Sequence, residues 1–339
     1  MGSENSGSAT PMVQDSPSAT ARQGIIATRT TAAENVVQGE GVWQFGHYYG
    51  SYRADKYPFP IESEEMSRYD LLHKFFLTAR KLEIYSAPLP TDRVCRIMDL
   101  GTGTGIWVMN MAEQYLPGSE VCGVDLHKIQ PRLIPPSTSF LQFDIEEPSW
   151  WLPKDNDLIF MRLLLGSIQT DLWPQVYKNI FDHLAPGVGY IEQVEVDYTP
   201  RWDGGEIPSP SAIKEWAEMF HSGLEALGRS AQVDSEKTRR TLEEIGFVDF
   251  HEEVVQIHLS PWSDDEFLRN VGRWWNSALC SGLGALSMKP FWRKTQKPEG
   301  EVREYVDNLA ERFLEEACHL KYHCYMTLHI WTARKPEGA

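Results

Sequence analysis

Three glycines at alternate positions, 101, 103 and 105, follow Asp99 in the segment DLGTGTG. Glycine lets the backbone turn sharply and leaves room for a ligand to press against the chain. A carboxylate just before the first glycine suits a ligand with a cationic centre and hydroxyl groups better than one with a pyrophosphate. The segment therefore predicts a loop that binds a cationic, hydroxyl-bearing ligand.

Two further acids stand where predicted strands end. Asp125 falls at the end of the second predicted strand, residues 120–126, and lies 24 positions after Gly101. A carboxylate placed there accepts hydrogen bonds from ribose hydroxyls. Asp144 follows a third predicted strand, 139–143, where an adenine amino group is commonly held.

This set of acids distinguishes between two classes of cofactor. NAD enzymes share the glycine turn and the ribose-binding acid, whereas Asp99 and Asp144 favour S-adenosylmethionine (SAM). The glycine segment resembles the first motif of class I SAM-dependent methyltransferases. The residues that this resemblance predicts to bind SAM are Asp99, Gly101, Thr102, Gly103, Gly105, Asp125, Leu126, Asp144 and Ile145.

Alternating strands and helices must position these residues. Such alternation predicts a parallel sheet with right-handed crossovers. A last strand near 325–333 is predicted to pair antiparallel with a sixth strand. The expected fold is α/β, with a seven-stranded, mostly parallel, Rossmann-like sheet. Its other strands are predicted at 94–98, 120–126, 139–143, 157–161, 189–196 and 247–259.

The chain divides into a tail and one methyltransferase domain. Residues 1–40 are rich in Ser, Ala, Thr, Gly and Gln, and are predicted to be disordered because they bury too little apolar surface. The domain is placed at 41–336. Three segments exceed what the sheet needs and are predicted to form a helical lid: about 43–80, 200–230 and 261–322, the last with two helices.

Composition limits the possible partners and compartments. A net charge of −16 argues against direct binding of nucleic acid or of anionic membranes. No apolar run is long enough to span a membrane, and the tail lacks the apolar stretch of a signal peptide. His319 and His323 share one face of a predicted helix, but no second ligand pair is evident, so no metal site is predicted. The expected location is cytoplasm and nucleus.

Candidate catalytic residues follow from the chemistry of methyl transfer. A methyl group on a sulfonium is already electrophilic, so the protein mainly aligns the reactants and excludes water. An alcohol acceptor usually needs a base, whereas a neutral amine needs only to lose a proton. Arg162 and Glu195 lie at the predicted crevice, and Tyr57 could close over SAM. The alternatives are that Glu195 caps a helix or pairs with Arg162, and that Tyr57 only packs.

Both ends of the domain carry more specific patterns than the glycine loop. The blocks KYPFP at 56–60, DLLHKFF at 70–76 and LHIWTARKP at 328–336 resemble the fungal LaeA-like methyltransferases. The internal segments EQVEVD at 192–197 and RWWN at 273–276 match the same family. That family includes regulators of secondary metabolism and development, and also enzymes that methylate fungal natural products.

The resemblance implies a SAM-dependent methyltransferase that regulates secondary metabolism and development with a protein partner, either a velvet-domain factor or a sister methyltransferase. Two alternatives stay open. One is a tailoring O- or N-methyltransferase that acts on a small-molecule acceptor, a fungal secondary metabolite. The other is a SAM-binding scaffold without transfer activity. The aromatic block 43–59 is the predicted partner surface, with a role in covering SAM as its alternative.

Overall fold

The computed structural model describes residues 40–338. The prediction that residues 1–40 are disordered therefore lies outside the described residues, except at Glu40. A short hairpin of β1 (Gly41–Gln44) and β2 (His47–Gly50) precedes the first helix, α1 (Ser63–Ala79).

A seven-stranded sheet follows, in the order β5-β4-β3-β6-β7-β9-β8. Its strands pair in parallel except β9, which lies between β7 and β8 and is antiparallel to both. The predicted α/β architecture, including the antiparallel last strand, is confirmed. The strands are β3 (Arg96–Leu100), β4 (Glu120–Asp125), β5 (Thr138–Gln142), β6 (Leu158–Arg162), β7 (Tyr190–Trp202), β8 (Val248–His258) and β9 (Cys324–Arg334).

Helices cover both faces of this sheet. Apolar side chains of α3, such as Val176 and Ile180, belong to one core cluster, and Phe75 of α1 and Trp107 of α2 belong to the other. The Trp107 ring stacks on Phe160 of β6 at 4.2 Å between centroids. The helices after α1 are α2 (Ile106–Asn110, continued by a π-helical turn, Met111–Tyr115), α3 (Trp173–His183), α4 (Ala212–Glu225), α5 (Ser235–Ile245), α6 (Glu266–Cys280), α7 (Leu283–Thr295) and α8 (Glu299–Ala317).

Three local predictions are wrong. Strand β7 continues to Trp202 rather than ending at 196. The segment 261–322 holds three helices rather than two, because the chain breaks at Gly282 and again at Pro298. The first sheet strand covers 96–100 rather than 94–98, since Val94 is exposed. Asp99 therefore lies inside β3 and is buried.

The end of α8 also changes the prediction for the two C-terminal histidines. The helix ends at Ala317, so His319 and His323 do not share a helix face. Within residues 40–338, no group of His, Cys, Asp and Glu side chains is arranged to hold a metal ion. In the same range, no helix is long and apolar enough to cross a membrane.

A buried ion pair ties the end of α1 to the centre of the sheet. The Arg80 guanidinium donates from Nη2 to Oε1 of Glu192 on β7 at 2.5 Å. Oε2 of Glu192 accepts from the backbone N–H groups of Ser86 and Ala87 at 2.7 and 2.9 Å. This fully buried carboxylate is thus satisfied by the segment after α1, and Arg162 is not its partner.

Candidate functional site

A cavity opens at the carboxyl ends of β3, β4 and β6, where ligands bind in open α/β sheets. Its atom-free volume, counted to the open mouth, is about 980 Å³. The wall is formed by Tyr57, Ile61, Tyr69, Leu72, Gly101, Thr102, Gly103, Thr104, Ile106, Val124, Asp125, Leu126, His127, Ile129, Phe143, Ile145, Arg162, Leu163, Leu164, Ser167 and Ile168.

The glycine loop turns from β3 into α2 along this wall. All three glycines have positive φ, a conformation that favours glycine. A side chain at Gly101 would collide with Leu164, at 2.5 Å, and one at Gly105 would collide with the Phe140 ring, at 2.4 Å. Gly103 faces more open space, with Tyr69 at 3.7 Å as its nearest neighbour. Gly101 and Gly103 line the cavity, whereas Gly105 allows α2 to start close to Phe140.

Asp125 holds the loop at the end of β4. Its Oδ2 accepts from the Gly103 N–H at 2.8 Å, and its Oδ1 accepts from the His127 N–H at 2.9 Å. The Gln130 side chain donates to the Gly103 carbonyl at 2.7 Å. Burial raises the pKa of Asp125 to about 6. The carboxylate is on the cavity wall, in reach of a ligand hydroxyl.

The other two predicted acids are not on the wall. Asp99 is buried inside β3, and burial raises its pKa to about 7 although the positive charge of Arg162 opposes the shift. Oδ1 of Asp144 accepts a hydrogen bond from the Glu146 N–H at 2.9 Å, and Oδ2 of Asp144 lies 3.6 Å from Nζ of Lys56. Phe143 and Ile145, on either side of Asp144, do face the cavity. A direct contact of Asp144 with adenine stays a prediction.

A polar group without a partner fits a bound nucleoside. The side-chain hydroxyl of Thr104 is buried and has no hydrogen-bond partner within the described residues, whereas the Thr102 hydroxyl lies close enough to Asp99 to lower the pKa of that carboxyl. Gly103 presents bare backbone beside them. The apolar side chains of Leu126, Phe143 and Ile145 suit the faces of a base. The residues present therefore fit SAM at this site.

The sequence reasoning missed His127, which contributes to the cavity wall. Its ring is buried 5.7 Å from the Tyr57 ring, and a side chain at Gly50 would lie 2.0 Å from its Nε2. Burial lowers the pKa of His127 to about 4, so the ring is neutral at neutral pH. The signal that could have found it is a titratable residue two positions after the acid that ends a strand.

Of the three candidate catalytic residues, Tyr57 and Arg162 line the cavity. The Tyr57 hydroxyl lies 3.1 Å from the Tyr69 hydroxyl, and burial raises the pKa of both phenols, that of Tyr69 to about 12. Both phenols are therefore protonated at neutral pH. The Arg162 guanidinium lies over the Phe76 ring, 4.5 Å from its centroid.

Glu195 does not reach the cavity wall. Its Oε1 accepts from the backbone N–H groups of Leu164 and Leu165, at 3.1 and 3.2 Å, and from the Gln193 amide at 2.9 Å. The carboxylate thus fixes the loop after β6, which lines the cavity, and it forms no ion pair with Arg162; a catalytic role of Glu195 stays a prediction. Burial raises the pKa of Glu195 to about 7.

Replacement of Glu195 with glutamine is expected to change how stability depends on pH. The folded carboxyl has a pKa above that of an unfolded glutamate, so between about pH 4.5 and 7 the folded state holds a proton that the unfolded state releases. This group therefore destabilises the fold as pH rises through that window. Urea unfolding at pH 5 and pH 8 should show a shift of up to about 3 kcal/mol in favour of Glu195→Gln at the higher pH.

The matched control for this experiment is Glu243→Gln, since Glu243 is exposed on α5. Its stability should follow that of the unaltered protein at each pH. If the free energy of unfolding of Glu195→Gln changes between pH 5 and 8 as that of the unaltered protein does, the raised pKa of Glu195 is wrong.

The predicted lid segments differ in their relation to the cavity. Within the described residues, Tyr57, Ile61, Tyr69 and Leu72 of segment 43–80 line it, and no lining residue belongs to 200–230 or 261–322. Helix α6 of the last segment packs on α1, where Trp275 contacts Phe75 with ring centroids 4.9 Å apart. Segment 261–322 thus supports the helix that covers the cavity, and α4 of segment 200–230 packs on α7 and α8. A lid motion stays a prediction.

Comparison with known proteins agrees with this site. A family model described as a methyltransferase domain matches residues 63–252. The secondary metabolism regulator laeA of Fusarium oxysporum f. sp. lycopersici is 50% identical over 88% of this chain and 93% of its own length. The secondary metabolism regulator LAE1 of Hypocrea atroviridis is 46% identical over 90% of this chain and 86% of its own length.

The similarity of this chain to solved structures is weaker than its similarity to these regulators. Phosphoethanolamine N-methyltransferase 2 of Haemonchus contortus, in complex with S-adenosyl-L-methionine, is 15% identical with a TM-score of 0.43, over 80% of this chain and 52% of that one. This value is too low to inform on the acceptor. The match to the family model and the similarity to the two regulators over most of the chain establish the family. The chain belongs to the LaeA/LAE1 family of secondary metabolism regulators and is a SAM-dependent methyltransferase with the class I fold.

Proposed function

We propose that this chain regulates secondary metabolism and development in a fungus through methyl transfer from SAM, with a protein partner. The observation that supports this proposal is the 50% identity to the Fusarium regulator over 88% of this chain and 93% of that one. A shared glycine loop alone would point only to a cofactor.

The cavity suggests how SAM would lie in it. The strand order β5-β4-β3-β6 sets Ile145, Asp125, Gly101 and Arg162 along one edge of the sheet. We place the adenine beside Ile145, the ribose hydroxyls on Asp125, and the methionine end near Gly101. The reacting methyl group would then face α1 and the end of β6.

The wall also limits the acceptor. Asp125, which we assign to the ribose, is the carboxylate among the lining residues, His127 is neutral, and Tyr57 and Tyr69 are protonated at neutral pH. SAM supplies an electrophilic methyl group, so alignment and exclusion of water are the tasks that remain for these side chains. An acceptor that is already nucleophilic, such as an amine, fits this wall better than an alcohol that needs a strong base.

Complementation tests the regulatory role. A strain of Fusarium oxysporum that lacks its laeA would be given this chain, its Asp125→Ala variant, or an empty vector, and metabolites would be profiled without selection. We expect the unaltered chain to restore many unrelated compounds and Asp125→Ala to restore few of them.

Each other outcome identifies an alternative. If this chain adds one methylated product and restores nothing else, it is a tailoring O- or N-methyltransferase. If Asp125→Ala restores as much as the unaltered chain, the protein acts as a scaffold without transfer activity.

The side chains of the aromatic block 43–59 differ in their exposure to solvent, and this supports a choice of one end of the block as the partner surface. Phe45, Tyr49 and Phe59 are buried in the core, whereas Trp43 is 71% exposed, with exposed Val42 beside it. Exposed aromatic side chains are enriched at the centres of interfaces. We propose that a velvet-domain factor or a sister methyltransferase contacts the hairpin at Trp43, and that this contact determines the nuclear share of a protein located in cytoplasm and nucleus.

Replacement of Trp43 with serine is expected to reduce recovery of a velvet-domain partner in a pull-down at least about 10-fold, the usual effect of losing an aromatic anchor. A fluorescent fusion of Trp43→Ser should also shift from nucleus to cytoplasm. The matched control is Leu133→Ser, because Leu133 is an exposed apolar side chain outside the hairpin. Equal recovery with all three proteins would rule out the hairpin as the contact.

A further inference from the structure

Arg162 is half-buried at the cavity wall and differs from the buried arginines of the domain. Arg68 pairs with Glu65 at 2.6 Å, Arg80 pairs with Glu192 at 2.5 Å, and Arg229 donates to the Lys56 carbonyl at 2.6 Å. Within the described residues, the Arg162 guanidinium makes no hydrogen bond or ion pair, and its close contact is the face of the Phe76 ring.

A guanidinium without a partner is costly away from bulk water, because its hydration is lost without replacement. Burial lowers the pKa of Arg162 only to about 10, so the group is still charged at neutral pH. Its five N–H donors form a planar fork that matches a carboxylate. The cavity therefore contains a fixed cation whose hydrogen-bonding capacity is unused.

The register of the sheet places this cation beside the glycine loop. Leu100 of β3 is opposite Met161 of β6, so Gly101 and Arg162 follow at neighbouring strand ends. Asp99 lies close enough for its charge and that of Arg162 to influence each other. Because Asp99 is buried and Arg162 lines the cavity, the group that a ligand meets here is the cation, which suits the carboxylate of an α-amino acid or that of an acidic acceptor.

We propose that Arg162 is a carboxylate-binding residue, which receives either the carboxylate of the methionine end of SAM or a carboxylate of the acceptor. The proposal rests on SAM binding in this cavity as described under the proposed function. The shared chemistry is a two-pronged hydrogen bond from the guanidinium to two carboxylate oxygens.

Calorimetry with SAM and with decarboxylated SAM tests whether Arg162 binds the carboxylate of SAM. The unaltered protein should bind SAM about 10- to 100-fold more tightly than the decarboxylated form, the range expected for a hydrogen bond to a charged group. Arg162→Met should reduce that ratio to about 1 by weakening SAM binding alone, and Arg162→Lys should leave an intermediate ratio. The matched control, Arg239→Met on the exposed face of α5, should keep the full ratio.

A second arm tests the acceptor as the source. If Arg162→Met keeps the ratio of the unaltered protein, sodium butyrate is titrated into protein saturated with S-adenosylhomocysteine, and binding is followed by saturation-transfer NMR. Binding to the unaltered protein and its loss in Arg162→Met would assign the carboxylate to the acceptor.

The proposal is overturned if Arg162→Met changes neither the cofactor ratio nor butyrate binding. Failure of SAM and S-adenosylhomocysteine to bind the unaltered protein would instead contradict the proposed function. Misfolding is checked by the melting temperature without ligand. Because Arg162 makes no polar contact with the described residues, Arg162→Met should melt no lower than the unaltered protein.

Discussion

Replacement of Asp125 with alanine is expected to weaken SAM binding by about 100- to 10,000-fold. Each ribose hydroxyl that hydrogen-bonds a carboxylate contributes about 1.5–3 kcal/mol, and two such bonds would be lost. The Gly103 and His127 N–H groups also lose the acceptor that holds the glycine loop against β4. Isothermal titration calorimetry with SAM and S-adenosylhomocysteine measures the effect.

Two variants make this experiment specific to the site. Asp125→Asn keeps one acceptor oxygen and should fall between the alanine variant and the unaltered protein. Asp182→Ala removes an exposed carboxylate on α3, paired with Lys178, and should leave affinity unchanged. SAM affinity that is the same in Asp125→Ala and Asp182→Ala would disprove the ribose-binding role.

Replacement of Arg80 with methionine is expected to lower the free energy of unfolding by about 3–5 kcal/mol, because it leaves the Glu192 carboxylate buried without its cation. Urea unfolding followed by tryptophan fluorescence measures this loss. The double variant Arg80→Met, Glu192→Gln should recover part of it, since the glutamine oxygen still accepts from the backbone of Ser86 or Ala87.

The control for Arg80 is Lys178→Met, which breaks an exposed pair on α3 and should cost less than about 1 kcal/mol. If Arg80→Met is as mild as this control, the buried pair contributes little. Arg80 and Arg162 form an instructive contrast. Arg80 is buried and pairs with Glu192 on β7, whereas Arg162 lies over the Phe76 ring and makes no ion pair with the described residues, so we expect a large loss of stability on removing the first and none on removing the second.

The architecture was predictable because its signals are local. The apolar runs of the inner strands, the helix stop at Gly246 and the glycine turn at 101–105 are each visible within a few residues. Most strand ends were displaced by one or two positions, and β7 continues six residues beyond its predicted end at 196, since the burial of residues such as Val94 depends on neighbours that are distant in sequence. The number of helices after β8 was missed for a related reason. Apolar spacing continues across the break at Gly282.

The site was predictable only in part. Gly101, Gly103 and Asp125 face the cavity as their motif implies. An acid at the end of a strand can face either a ligand or another group of the protein. Which of the two it faces depends on the alternation of side chains along the strand and on the residues, distant in sequence, that pack beside it. Lys56, 88 positions before Asp144, approaches the Asp144 carboxylate. The backbone N–H groups of Leu164 and Leu165 donate hydrogen bonds to the Glu195 carboxylate. Such long-range contacts leave no periodic signal in the sequence.

The position of β9 has a consequence for synthesis of the chain. β8 pairs with β9 alone among the described strands, and the outer edge of β7 is covered by β9 as well. At about 5–20 residues per second, the ribosome needs on the order of 3–13 s to travel from the end of β8 to β9. Throughout that interval the nascent protein carries unpaired strand edges, which are templates for aggregation. A premature stop codon before residue 324 would therefore leave an aggregation-prone fragment, and not a shorter enzyme.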